Sequence, residues 1–391
     1  MVVITHVIVW SRRFPCVSVL AIVPHSFARR RKVVAMSDEQ TPQPQWHLVP
    51  EHMATPARVP QPQPVATPRD PQAPEDLASQ LVQVDPLLNR PRRSSMVLCI
   101  VFGVLFLALG GLAYWLGVHT VLGQSYEDQV ITSYASRMPA FLSSTAFPFS
   151  NSLVVIITSL VMGALALVVA LVRKRWWLAV QLAGFIVVAF IASRVLKPVL
   201  PRPFLIHVES STTNSAPSGH VMMAAIASVA LLCAVPRVWR AACALIGVLF
   251  TLSVGFSVVT MRWHRPIDVV MAVFITSGLV LLMLACTARS GMDRPGKRVP
   301  SASVQIVASA LIALGVCAYA YATYVIWEIS LGLSAVAAWT ARGADDSATA
   351  LIVGTVCVVF GLVLSLRQLT ASPLSKMGLI GTPPTPPKRR S

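Results

Sequence analysis

Read by its apolar and polar positions, the chain changes character near Arg93. Beyond that point, long apolar runs alternate with short polar links. A helix that crosses a bilayer needs about 20 mainly apolar residues. Eight runs approach that length: 95–118, 152–172, 178–196, 218–235, 241–261, 268–288, 303–326 and 347–366. The third to sixth follow one another most tightly. Before Arg93 no apolar periodicity survives. Thr41–Pro91 is proline-rich and polar and reads as a disordered tail. The apolar run Phe14–Pro24 is too short to span, and Arg29-Arg30-Arg31-Lys32 follows it. A signal peptide carries its positive charge before the apolar region, so the reading takes Met36 as the true start. The pattern predicts an all-α polytopic membrane bundle. It has a tail at 1–94, a six-helix core at 95–288, an accessory two-helix hairpin at 289–370 and a basic, proline-rich tail at 371–391.

Composition supports the membrane reading. Of the 391 residues, 55% are hydrophobic and 12% charged, against about 25% charged in soluble proteins. The 32 Lys and Arg exceed the 15 Asp and Glu by 17. That excess argues against nucleic acid here, because the cations sit in short clusters between apolar runs and no nucleic-acid module motif is present. One set of span ends holds Arg90, Arg92, Arg93, Arg173, Lys174, Arg175, Arg237, Arg240, Arg289, Arg294, Lys297, Arg298 and Arg367. By the positive-inside rule that side is cytoplasmic, as are both termini. Arg194, Lys197, Arg202, Arg262 and Arg265 break the rule on the opposite side, which marks them for function. Tryptophans at span ends read as interfacial anchors. The cysteines lie in the tail or within apolar runs, with no C-x-x-C spacing, and read as apolar filler.

Three short segments gather on that outer side. Lys197-Pro-Val-Leu-Pro-Arg202-Pro203 follows the third span. Ala216-Pro217-Ser218-Gly219-His220 opens the fourth. Arg262-Trp263-His264-Arg265-Pro266-Ile267-Asp268 joins the fifth and sixth. Their residue types suit phosphoryl transfer through a histidine. Lysine and arginine neutralise phosphate oxygens, and the start of a helix at Ser218 favours an anion. Gly219 lets the backbone come close. Histidine serves as acid, base or nucleophile once a carboxylate orients it. Asp268, four residues after His264, can reach one ring nitrogen and leave the other free. No Asp-rich cage is present, so neither a metal nor another cofactor is expected.

Pro217-Ser218-Gly219-His220 followed by His264-x-x-x-Asp268 resembles the type 2 phosphatidic acid phosphatase family, related to the vanadium haloperoxidases. The resemblance covers about residues 95–288 and implies a six-helix phosphatase core. It implies His264 as the nucleophile, Asp268 as its orienting group and His220 as the acid and base. It further implies that Ser218, the Gly219 amide, Arg202 and Lys197 bind phosphate. Two positions depart from the family pattern Lys-x6-Arg-Pro and Ser-Arg-x5-His-x3-Asp. The lysine position falls on Val195, so either Lys197 or Arg194 serves. The arginine position falls on Val258, after a matching Ser257. Arg262, one helical turn later, is expected to supply that charge. His207 and Glu209 are candidates for the substrate mouth, and Arg265 is read as solvated or touching lipid phosphate. Trp263 either covers the site or anchors its loop.

These residues imply an integral membrane enzyme, in a bacterial plasma membrane by its composition, with an extracytoplasmic site. Its expected substrate is a lipid phosphate monoester or diphosphate: phosphatidic acid, phosphatidylglycerol phosphate or polyprenyl diphosphate. A lipid alcohol in place of water would make it a phosphotransferase. A scaffold or transporter with a dead site is the alternative from another class. The seventh and eighth spans carry no catalytic motif.

Overall fold

The computed structural model describes residues 91, 93–206, 213–288, 291–293, 302–333 and 339–371. The proposed start at Met36 and both tails (all but 91, 93 and 94 of the first, and all but Ala371 of the second) lie outside them, as do His207 and Glu209. The described residues form helices and no strand. In chain order these are α1 (Arg93–Val118), α2 (Val121–Arg137), α3 (Ala140–Ala146), a 3-10 turn (Phe147–Ser150), α4 (Ser152–Val172), α5 (Trp176–Val199), α6 (Gly219–Ala234), α7 (Arg237–Thr260), α8 (Pro266–Ala285), α9 (Ala302–Leu333) and α10 (Thr340–Ala371).

Seven of these, α1, α4, α5, α7, α8, α9 and α10, are long and apolar enough to cross a membrane. The fourth expected span, α6, has only 16 residues, a rise of about 24 Å against a hydrocarbon core of about 30 Å. Its environment explains how it can be short. From Val221 to Ala234 nearly every side chain is buried, so protein rather than lipid surrounds it. The outer helices show the opposite pattern. Val97, Val101, Val104, Leu105 and Leu112 of α1, with Leu153, Ile157, Leu160 and Val161 of α4, are exposed. They form the lipid-facing stripe that a bilayer requires.

α8 is the central helix, buried almost all round. α1 crosses it where glycine meets glycine. A Cβ on Gly278 would stand 2.8 Å from the Gly103 carbonyl oxygen and 2.7 Å from Leu107. Only hydrogen at both positions lets the two backbones approach this closely.

The stretch 119–151, which the apolar pattern leaves as a link, instead folds into α2, α3 and a 3-10 turn. Thr120 caps α2, its Oγ1 accepting the Gly123 N–H at 3.0 Å. α2 is too polar to span. One face carries Gln124, Tyr126, Glu127, Val130 and Tyr134, all buried at roughly helical spacing. That face docks on α10. The Tyr126 hydroxyl meets Ser347 Oγ at 2.9 Å and the Tyr134 hydroxyl meets Thr349 Oγ1 at 3.0 Å. Ser133 Oγ donates to Asp345 Oδ1 at 2.7 Å. The last two helices are thus packed into the core, with α10 against α7, α8 and α2. They also shorten the link left between the apolar runs 303–326 and 347–366, since α9 runs to Leu333 and α10 begins at Thr340.

Replacing Gly278 with Val is expected to destabilise the bundle by about 1–3 kcal/mol through overpacking. A lowered Tm in detergent checks this; an unchanged Tm would mean that α1 and α8 can separate freely.

Candidate active site

The site is built where α5 ends and α6 and α8 begin. Pro266 opens α8 at its first helical position, where its missing N–H costs nothing. Asp268, two residues on, lies in the first turn, where a carboxylate faces the unpaired amides and the positive end of the helix dipole. Its Oδ2 accepts the Arg265 backbone N–H at 3.1 Å and the Ser215 hydroxyl. The same oxygen meets His264 Nδ1 at 3.1 Å. The Asp268 carbonyl accepts the Ser218 N–H at 3.1 Å. One residue therefore ties the α8 start to the α6 start and to the imidazole. Asp268 is 1% exposed and His264 7%, so the pair is shielded from water. With the Nδ1 proton held by the carboxylate, the Nε2 lone pair of His264 is left for chemistry.

A cavity of about 270 Å3 opens beside this pair, lined by Lys197, Arg194, Ser193, Gly219, His220 and His264, with Ile156, Phe190 and Met223 as its apolar wall. Five of the expected site residues thus share one space. Trp263 stands beside the site, its ring centroid 5.5 Å from that of His220. Arg194 is exposed and lies over the Phe190 ring at 5.3 Å. The expected mouth residues His207 and Glu209 fall outside the described residues.

Ser218 precedes the first residue of α6 without capping it, and its side chain is fully buried. Its Oγ has no hydrogen-bond partner among the described residues, nor have both terminal nitrogens of Arg202. Buried donors without partners cost about 1–3 kcal/mol each, and an anion with several acceptor oxygens is the group that would satisfy them. Arg202 is held by its loop. Pro201 O accepts the Tyr114 hydroxyl, and Pro203 O accepts Gln124 Nε2 at 2.7 Å. Burial and Arg265 draw the Arg202 guanidinium pKa down, against Glu127 and Asp268, which raise it. Asn214 joins the two loops, donating to Lys197 O at 3.3 Å and Ala216 O at 2.9 Å.

Arg262 is not where the sequence reading expects it. α7 ends in a Schellman motif: the Trp263 N–H reaches Val258 O and the Arg262 N–H reaches Val259 O, both at 2.9 Å. Arg262 takes the left-handed position usually given to glycine, with φ 57°. That backbone sends its side chain outward to the Thr132 carbonyl of α2 at 3.1 Å, and it does not line the cavity. Val258, the family's arginine position, is fully buried among apolar groups. Arg265 also departs from expectation. It is 2% exposed, not solvated, and its Nη1 donates to Ser215 Oγ at 2.9 Å. It stands in the field of Asp268, Glu127 and Arg202.

Glu127 of α2 escaped the sequence reading. It is 1% exposed, and its Oε1 accepts the Ile267 N–H at 3.1 Å, so it caps α8 from a second side. Burial pushes its pKa up to about 8, assisted by nearby Asp268 and opposed by Arg265 and Arg202. The signal available was its place in a polar segment with buried-face spacing, which a search for membrane spans does not weigh.

Residues 175–292 match the model of the PAP2 superfamily. The match spans α5 to α8 and contains all three motifs. It is consistent with a member of the type 2 phosphatidic acid phosphatase superfamily, whose members are phosphatases, and so with a membrane protein of the phosphatase type. No curated protein and no solved structure matches the chain.

Between about pH 4.5 and about 8 the folded state retains the Glu127 proton that the unfolded chain has lost. Stability must then fall as pH rises through that window. Glu127→Gln is expected to flatten this part of the Tm–pH curve in detergent; a wild-type slope in the variant would remove Glu127 as its cause.

Proposed function

We propose that the protein hydrolyses a phosphate monoester or diphosphate carried by a membrane lipid, through a phosphohistidine and without a metal. The observation that carries this reading is the buried His264–Asp268 pair opening on a cavity shared with His220 and Lys197. In this scheme His264 Nε2 attacks phosphorus and forms an N–P bond as the P–O bond to the lipid breaks. His220 gives its proton to the departing oxygen. Asp268 stabilises the positive imidazole. His220 then takes a proton from water, whose oxygen attacks phosphorus, and the N–P bond breaks to release inorganic phosphate and neutral His264.

Lys197 lines the cavity, whereas Arg202 and Ser218, with their unpaired donors, lie outside its lining and would have to reach the phosphate from the adjoining loops. Lys197 supplies a compact positive charge, and Arg202 can offer paired N–H groups. Ser218 Oγ and the first amides of α6 add neutral donors. Arg265 serves differently from the phosphate-binding role expected of Arg262: it holds Ser215 and, through it, the carboxylate that orients the nucleophile. The apolar wall of Ile156, Phe190 and Met223 fits a substrate whose chain stays in the bilayer while its phosphate reaches the interface. Phosphatidic acid, phosphatidylglycerol phosphate and polyprenyl diphosphate share that shape. The side of the membrane assigned to the site, extracytoplasmic, rests on the distribution of Lys and Arg among the links.

Detergent-solubilised protein in EDTA is expected to release phosphate from at least one lipid of this group. His264→Ala should abolish turnover and also lower Tm, because Asp268 loses a buried partner; undiminished hydrolysis by the folded variant would refute the phosphohistidine. A second comparison separates the arginines. Arg202→Gln is expected to lower kcat/KM by about 10²–10³, whereas Arg262→Ala should stay near wild type. Loss of activity in the Arg262 variant would restore it to the site.

A further inference from the structure

At the membrane end opposite the histidines, arginine side chains are collected inside the protein. Arg240 and Arg367 are fully buried, Arg175 is 7% exposed and Arg237 8%. Asp293 is the one carboxylate among them: Arg240 Nη1 and Nη2 reach it at 3.0 and 2.8 Å, and Arg175 Nη2 at 3.4 Å. Arg367 donates to the carbonyls of Cys233 and Gly291, both at 3.0 Å. Burial raises the Asp293 pKa, but Arg240, Arg367 and Arg175 outweigh it and hold the carboxyl below its usual range. Among the described residues, Arg237, Arg240 and Arg367 are thus set against one carboxylate, with Arg175 beside them.

Among the described residues Asp293 is the one carboxylate at this end; Asp70, Glu75, Asp76 and Asp85, before Arg93, lie outside them. Residues 294–301 and 372–391 contain no Asp or Glu. The acidic residues of α2 and α10, and Glu328 near the C-terminus of α9, stand at the other membrane end. Surface cations would be satisfied by water, but these are buried. Arg237 Nε and Nη2, Arg240 Nε and Arg367 Nη1 have no hydrogen-bond partner among the described residues. Nε and Nη2 form one edge of the guanidinium, the edge that takes two oxygens of a phosphate side by side. Arg237 is also the first residue of α7, which begins without a side-chain cap. Trp176, Trp177 and Trp239 are exposed at this same end, as residues at headgroup level are.

We propose that this cluster is a second anion site, separate from the histidine site, which takes a phosphate group on the Arg237 edge. The group is either the phosphodiester of an anionic lipid or free phosphate. Either would supply the missing negative charge and the acceptors for the buried donors.

The test is the Tm of the full chain in detergent with added phosphatidylglycerol, with phosphatidylcholine, or with phosphatidylcholine plus inorganic phosphate at matched ionic strength. A rise with phosphatidylglycerol over phosphatidylcholine, lost in Arg237→Gln and kept in Arg202→Gln, supports the site with lipid as source. The same pattern with inorganic phosphate supports it with the free ion as source. No rise with either, or a rise that is equal in Arg237→Gln, overturns it. Should Arg237→Gln not fold, Arg237→Lys keeps the charge and loses the edge: a weakened rise supports the site and an unchanged one overturns it.

Discussion

The burial of one carboxylate constrains the rest of the site. Asp268 is almost inaccessible to water, and a carboxylate there is tolerable only if donors surround it. The fold answers with the His264 ring, the Ser215 hydroxyl and the Arg265 amide on a single oxygen. The donors come from two segments: the ring and the amide from the adjacent His264 and Arg265 in the link between α7 and α8, the hydroxyl from the loop before α6. Satisfying the charge therefore fixes those segments relative to one another. Breaking one side of such a buried set typically costs about 3–5 kcal/mol, so the arrangement that orients the imidazole also stabilises the site.

That arrangement needs a floor, and α2 provides it. Glu127 meets the α8 start from below, and Gln124 holds the Arg202 loop. α2 itself is fastened by tyrosine and serine hydroxyls to α10. The last two helices, which carry no catalytic motif, thus reach the site through two layers of contact. Their removal would release α2 first and the Arg202 loop next.

The membrane spans were legible because a bilayer imposes one simple demand, a long apolar run, and the runs show it. His264 and Asp268 were legible for a similar reason, since one helical turn is a fixed spacing. The misses share a different cause. α2 is stabilised by contacts with α10 more than 200 residues away in sequence, and its own apolar content is low. Arg262 and Arg265 have the same charge and stand three residues apart. What separates them is the left-handed turn at Arg262, which aims one side chain outward while the helix start draws the other in. Spacing alone reads such a turn as one more helical step. α6 was legible as apolar, but its shortness follows only from its central position.

Both membrane ends gather more cations than charged carboxylates, and they differ in what lies beside them. At the histidine end, Arg202 and Arg265 are set against Asp268 and Glu127, with Lys197 facing the cavity. With Glu127 holding its proton near neutral pH, the cations there also exceed the charged carboxylate, and a substrate phosphate entering the cavity would offset that excess. At the other end the arginines exceed the carboxylate and lie among helix ends, where the headgroup layer supplies anions continuously. A turnover site must bind phosphate loosely enough to release it. A site that stays occupied has no such limit, and a standing excess of positive charge is tolerable there only while an anion remains bound.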